Sequence, residues 1–153
     1  NLDIAILKFN STTKLKPLKL LTNQDYKVIK IGTEINVLGY PLGVNSLRTT
    51  KGVVSAKLIR SGIADGIPYS PRDTIQIDAA INSGNSGGPV IILSGEVIGM
   101  TVTVTRQTKS GLAVEGTGYA ISSKQLIESV SCLTSTSQDK FLASGGTCKY
   151  LPN

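Results

Sequence analysis

The 153-residue chain contains no histidine, no tryptophan and only two cysteines. Two thiols without imidazole cannot make a tetrahedral zinc site, so no metal and no cofactor are expected. Long apolar runs are also missing. Ile4-Ala5-Ile6-Leu7 and Val90-Ile91-Ile92-Leu93 fall far short of the ~20 residues of a membrane-spanning helix, so no membrane span is expected. There is no internal repeat and no low-complexity tract. Aromatic residues are scarce, at 5%. Residues 1–30 carry Lys8, Lys14, Lys16, Lys19, Lys27 and Lys30 against Asp3 and Asp25, but only Phe9 and Tyr26 are aromatic there. A basic stretch with no stacking platform and no nucleic-acid motif argues against nucleic-acid binding. Lysines at every second or third position suit the solvated face of a strand, where they discourage edge-to-edge pairing.

What is present points to a β-rich domain. Hydrophobic residues at 40% against 17% charged supply a core and exclude a disordered chain. Ile, Thr and Val together number 42, and 16 glycines punctuate them, which favours many short strands. Strands are predicted over 3–9, 34–40, 48–60 (bent at Gly52), 74–78, 89–93, 96–105 and 117–121. Ser94-Gly95 joins two of these as a hairpin. Residues 15–20 read as extended, restricted by Pro17 to an edge or a connection. Loops are predicted over 62–73, 79–88 and 106–116. Residues 122–130 read as the one good helix, with Ser122 or Ser123 as its cap and Gln125 in the capping-box position. This order predicts an antiparallel barrel or sandwich.

Cys132 and Cys148 lie in a Ser/Thr/Gly-rich stretch, either as a disulfide or as two free thiols. A bridge would imply an oxidising, extracytoplasmic setting: secreted, periplasmic or cell-surface. Asn10-Ser11-Thr12 is a glycosylation sequon and points the same way.

The sharpest feature is Asn82-Ser83-Gly84-Asn85-Ser86-Gly87-Gly88-Pro89. A nucleophilic serine must project from a tight turn whose backbone N–H groups converge where an acyl oxyanion forms. Gly84, Gly87 and Gly88 permit that close approach and unusual backbone angles. An α/β-hydrolase elbow would be followed by a helix and by a downstream histidine; here a strand follows and no histidine exists. The subtilisin order also fails for want of histidine. Only the order His, Asp, Ser is compatible, with the His upstream of Asn1. The chain does not start with Met and has no signal peptide, so it reads as a processed product or a fragment.

On these residues the chain resembles the trypsin-like serine proteases, specifically the HtrA (DegP-like) branch. Asp3-Ile4-Ala5-Ile6-Leu7-Lys8 resembles the segment that carries the triad aspartate. Asp78-Ala79-Ala80-Ile81-Asn82-Ser83-Gly84-Asn85-Ser86-Gly87-Gly88-Pro89 resembles the nucleophile segment. Gly39-Tyr40-Pro41-Leu42-Gly43, Gly52-Val53-Val54-Ser55-Ala56, Gly95-Glu96-Val97-Ile98-Gly99 and Gly118-Tyr119-Ala120-Ile121 follow in the family's order. The resemblance covers about residues 2–130. It implies an all-β double β-barrel with the active site between the barrels. Residues 1–20 would be the tail of the first barrel, which is mostly missing. Residues 21–131 would be the complete second barrel with one C-terminal helix, and 132–153 a Cys-containing tail.

The resemblance further implies that Ser86 is the nucleophile and that Asp3 orients the absent histidine. The N–H groups of Gly84 and Ser86, flanking Asn85, would form the oxyanion hole. Asn85 replaces an aspartate that in many relatives pairs with a new N-terminal amine, so activation by that ion pair is not expected. Ile81, Thr101-Val102-Thr103 and Gly116-Thr117 would line the substrate pocket, with Ala80 at its base, which implies a preference for small or medium aliphatic residues. The expected function is a serine endopeptidase acting on polypeptides through an acyl-enzyme. This chain alone is expected to be inactive, and to need an N-terminal barrel segment or companion chain; homo-oligomerisation stays open. The alternative is an inactive pseudoprotease serving as a binding or structural module.

Overall fold

The computed structural model describes residues 3–64, 67–104 and 116–135. The strands are β1 (Glu34–Gly39), β2 (Arg48–Ala64), β3 (Ile67–Ile77), β4 (Pro89–Ile92), β5 (Val97–Val104) and β6 (Gly118–Ser122). They form a closed barrel in the order β1-β2-β3-β6-β5-β4, with every neighbouring pair antiparallel. Closure pairs every strand on both sides within the barrel, which limits strand-to-strand aggregation, while residues 59–64 of β2 and 67–73 of β3 pair, among the described residues, only with each other. A 3₁₀ turn at Pro41–Gly43 follows β1, a short helix α1 (Asn23–Tyr26) precedes it, and α2 (Ser123–Ser135) follows β6 directly.

The strands form where side chains alternate. In β1, Ile35 and Val37 are buried while Glu34 is exposed, the period-2 pattern of a strand with one face on the core. Val54, Ile75, Ile77, Val90, Ile98 and Ala120 fill the interior beside them. Most are β-branched, and their restricted χ1 angles suit a pleated surface. Each fully buried Ile or Val contributes about 1.5–3 kcal/mol from area removed from water. Where β2 crosses the chain after β3, Gly52 leaves room: a Cβ there would stand 2.5 Å from the Ala79 nitrogen.

Two predicted elements differ. The stretch 3–9 is not a strand but an irregular exposed segment, with Leu7 86% exposed. Its alternation is strand-like, yet a strand also needs a partner ladder, and no described residue supplies one. The first backbone link to the barrel comes at residues 19–21, where Val97 N–H donates to Lys19 O at 2.8 Å and Leu21 N–H to Val97 O at 2.9 Å. The second difference is at 62–73, predicted as a loop because of its glycines and prolines. Here β2 and β3 run on as a long hairpin, pairing Gly62 with Tyr69 and Ile63 with Pro68. Pro71 falls where the register shifts between Arg60 and Gly62, an irregular position at which a residue without an N–H is tolerated.

The remaining elements follow the sequence. The hairpin over β4 and β5 turns at Gly95, whose φ is 92°. Helix α2 is capped as predicted, with Gln125 N–H donating to Ser122 Oγ at 3.1 Å, but it extends to Ser135, beyond the predicted end. The Gln125 side chain does not return to the cap. It accepts from Asp73 N–H at 3.2 Å, tying α2 to β3. Helix α1 escaped prediction, although Thr22 caps it by accepting from Asp25 N–H at 3.2 Å and donating to the Asp25 carboxylate at 2.6 Å.

Helix α1 places Tyr26 in a mixed polar and apolar junction under the barrel wall. The Tyr26 hydroxyl donates to Asp73 at 3.2 Å, and Lys57 Nζ donates to Tyr26 O at 2.8 Å while lying 4.4 Å from the ring centroid. Burial, reinforced by the Asp73 charge, pushes the Tyr26 pKa well above its ordinary value. Burial pulls the Lys57 pKa down, against the opposing pull of Asp73. The loop predicted at 106–116 lies outside the described residues except for Gly116, and Cys148 lies outside them too.

Candidate active site

Residues 82–88 form two consecutive tight turns between β3 and β4. Asn85 N–H donates to Asn82 O at 3.0 Å, and Gly88 N–H to Asn85 O at 2.9 Å. Gly84 and Gly87 have φ of 97° and 81°, left-handed values that a side chain resists. A Cβ on Gly84 would also run into the Tyr40 carbonyl, and one on Gly88 into the Leu38 carbonyl. Gly84 is therefore required by both angle and space, Gly87 by angle and Gly88 by space.

Two walls hold this turn. On the β1 side, Tyr40 N–H donates to Gly84 O at 3.2 Å and Leu42 N–H to Ser83 O at 2.7 Å. On the β5 side, Gly87 N–H donates to Thr101 O at 2.8 Å and Thr101 N–H to Gly88 O at 2.9 Å. Asn85 points inward, 2% exposed, with its amide packed over Gly39, where a Cβ would collide with it. Ser86 is exposed at the crest. Its hydroxyl donates to Val102 O at 3.4 Å. That carbonyl is accessible because β5 bulges there: Thr101 pairs with Ala120 and Thr103 with Tyr119, which leaves Val102 unmatched. A bulge re-aims backbone groups in this way. Among the described residues, no acceptor meets the N–H of Gly84 or of Ser86.

The structure thus brings Gly84, Asn85 and Ser86 together with Val102. It does not bring Asp3 to Ser86 by any hydrogen bond. Asp3, with φ of 55°, lies 3.6 Å from Arg72 Nη1, and the Arg72 side chain is 7% exposed. A triad carboxylate and hydroxyl meet through an imidazole between them, and this sequence contains no histidine.

The other predicted positions spread around the barrel end. Ala80 is exposed, and its carbonyl accepts from the Thr50 hydroxyl at 3.1 Å. Ile81 is buried, and its Cγ1 occupies the space where a Cβ of Gly118 would be, 2.8 Å away. Val102 and Thr117 are half-buried and Gly116 is exposed. Thr101 is fully buried, with its hydroxyl turned to the Asn85 carbonyl rather than to an open pocket. Thr103 lies on β5. Asn10 is exposed on the irregular leader, and Cys132 is half-buried near the end of α2. Sequence reasoning singled out Gly39 only within a family-like segment, without its place under Asn85, and missed the Thr101 hydroxyl, the Val102 carbonyl and Arg72. A glycine before an aromatic residue hinted at Gly39, but no local signal marks the others.

Comparison with known proteins agrees with this geometry. The family described as "Trypsin-like peptidase domain" matches residues 1–100. The magnetosome formation protease MamE of Paramagnetospirillum magneticum is 36% identical over 124 residues, covering 81% of this chain and 16% of that protein. A probable periplasmic serine endoprotease, DegP-like, of Brucella suis is 40% identical over 129 residues, covering 82% of this chain and 23% of its own length. Among solved structures, the HtrA-type protease AlgW with tripeptide superposes with a TM-score of 0.61 at 31% identity, covering 81% of this chain and 38% of that one. The chain therefore spans less than a quarter of the length of these two curated relatives. This closed barrel, which carries a glycine-hinged serine on the turn between β3 and β4 and is matched over most of its length by these proteins, belongs to the trypsin-like peptidase domain family, in its HtrA-like branch.

Proposed function

We propose that this chain is the nucleophile-bearing part of a serine endopeptidase. The observation that carries the reading is the exposed Ser86 hydroxyl on a turn whose Gly84 and Ser86 N–H groups meet no acceptor among the described residues. Ser86 Oγ would attack a peptide carbonyl carbon, passing its proton to an imidazole from polypeptide upstream or from a companion chain. The oxyanion of the tetrahedral intermediate would be held by the two amides. The imidazolium would then protonate the departing amine as the C–N bond breaks, leaving an acyl-serine that water hydrolyses. Asp3 would orient that imidazole, which requires its carboxylate to exchange Arg72 for the ring. A carbonyl such as that of Val102 accepts a hydrogen bond but is no base, so this chain by itself should lack activity. The relatives named as serine endoproteases support the assignment.

Polypeptides are the substrates this reading implies. Ile81 and Val102 near the turn, with Ala80 beside them, favour a small or medium aliphatic residue before the scissile bond. The neutral, buried Asn85 supports activity that is independent of a newly cut N-terminal amine. The DegP-like relative's periplasmic description, the Asn10 sequon and the two cysteines support an extracytoplasmic location. A Cys132–Cys148 bridge fits such an oxidising location. Residues 1–20 act as the tail of a first barrel, 21–131 as the second, and 132–153 as the bridged tail.

The test is fluorophosphonate labelling of the full-length protein together with peptide-library cleavage. Labelling at Ser86, lost in Ser86→Ala, and cuts after aliphatic residues are expected. A folded protein that neither labels nor cleaves would be a pseudoprotease. Cuts dominated by Arg or Lys would overturn the pocket assignment.

A further inference from the structure

Thr101 has no place in the usual account of a serine nucleophile, yet its side chain is aimed at the turn that holds Ser86. It is fully buried in β5. Its hydroxyl donates to Asn85 O and lies 3.1 Å from Gly88 O. A hydroxyl carries one hydrogen, and the nearer acceptor, Asn85 O, takes it.

The Asn85 carbonyl and the Ser86 N–H belong to the same peptide unit. In a trans peptide the C=O and N–H point in opposite directions. Drawing the carbonyl inward to β5 therefore turns the Ser86 N–H outward, to the side where it meets no acceptor among the described residues. The Asn85 carbonyl has one further donor, Gly88 N–H at 2.9 Å. That bond closes within the turn and cannot anchor the peptide to the barrel. The backbone bonds between β5 and the turn reach Gly87 and Gly88, beyond Ser86. The hydroxyl of Thr101 is the tie that crosses to the peptide preceding Ser86.

We propose that Thr101 is a positioning residue that fixes the Asn85–Ser86 peptide so that the Ser86 amide is presented as an oxyanion donor. This rests on the peptidase reading and replaces a pocket-wall role for Thr101 with one behind the turn.

The test compares Thr101→Val, which keeps the shape and removes the hydroxyl, with Thr101→Ser, which keeps the hydroxyl, and with Thr101→Cys, a weak donor of similar size, in the full-length protein. Removing an oxyanion donor outright costs about 10²–10³ in kcat, and loosening one should cost roughly tenfold to a hundredfold. Thr101→Val should lower kcat by that factor with KM nearly unchanged, Thr101→Ser should restore it, and Thr101→Cys should fall between. A crystal structure of Thr101→Val should show the Asn85–Ser86 peptide rotated or in two orientations. Wild-type kcat in Thr101→Val, a raised KM at constant kcat, or an unrotated peptide would each overturn the proposal. If the unmutated protein neither labels nor cleaves, the peptidase reading fails by itself; the peptide orientation in Thr101→Val then still decides what Thr101 does.

Discussion

At the scale of single residues, the site depends on atoms that are missing as much as on those present. Gly84 needs a left-handed φ of 97° and also the space that a Cβ would take from the Tyr40 carbonyl. Gly84→Ala therefore combines a backbone penalty of about 1–2 kcal/mol with a backbone overlap that only movement of the turn relieves. The expected outcome is a fall in the denaturant midpoint together with loss of fluorophosphonate labelling at Ser86. A substitution at Gly95, where φ is 92° but no atom lies within 4 Å of the added Cβ, should lower stability without touching the labelling. The comparison separates strain in a turn from damage to the site.

At the scale of elements, α2 is attached to the barrel through its first turn. Ser122 is the last residue of β6 and the cap of α2, fully buried, accepting from Gln125 N–H. Gln125 then accepts from Asp73 N–H, and Lys124 Nζ lies 3.4 Å from Asp73 Oδ2. Replacing a capping serine with alanine typically costs about 1 kcal/mol. Ser122→Ala should cost about that or slightly more, since the freed amide is buried, read as a shift in the urea midpoint with an unchanged slope. The cap was legible because Ser-x-x-Gln is a local pattern. The partner of Gln125 was not, because Asp73 is 52 positions away.

At the scale of the molecule, the junction of α1, β2 and β3 makes stability pH-dependent on the alkaline side. Burial raises the Tyr26 pKa above the ordinary value near 10. The folded state therefore favours the neutral phenol, and this contribution is fully present below pH ~10. It is lost as the pH rises above that, where the unfolded chain releases its proton and the folded one does not. Lys57 acts in the opposite sense, because its lowered pKa makes loss of its proton favour the fold. Tyr26→Phe removes the first effect and keeps the second. Unfolding free energies measured between pH 8 and pH 11 should decline in the unmutated protein and decline less steeply in Tyr26→Phe.

The amino-acid sequence by itself determined what is local. Alternating β-branched residues set most of the strands, Ser94-Gly95 set a hairpin, Ser122 set a helix start, and the glycines around Ser86 set a turn on which a hydroxyl stands exposed. Each depends on neighbours a few positions apart, where chain geometry leaves little choice. Only the tertiary structure decided which strand-like segments find a ladder: 3–9 found none among the described residues, while the far arm of β2 and the proline-bearing arm of β3 found each other. It also decided that Val102 sits at a bulge, that Arg72 engages Asp3, and that the Thr101 hydroxyl reaches Asn85. Those outcomes rest on pairing and close packing between residues far apart in the chain, where closure of the barrel, rather than any local preference, selects the partner.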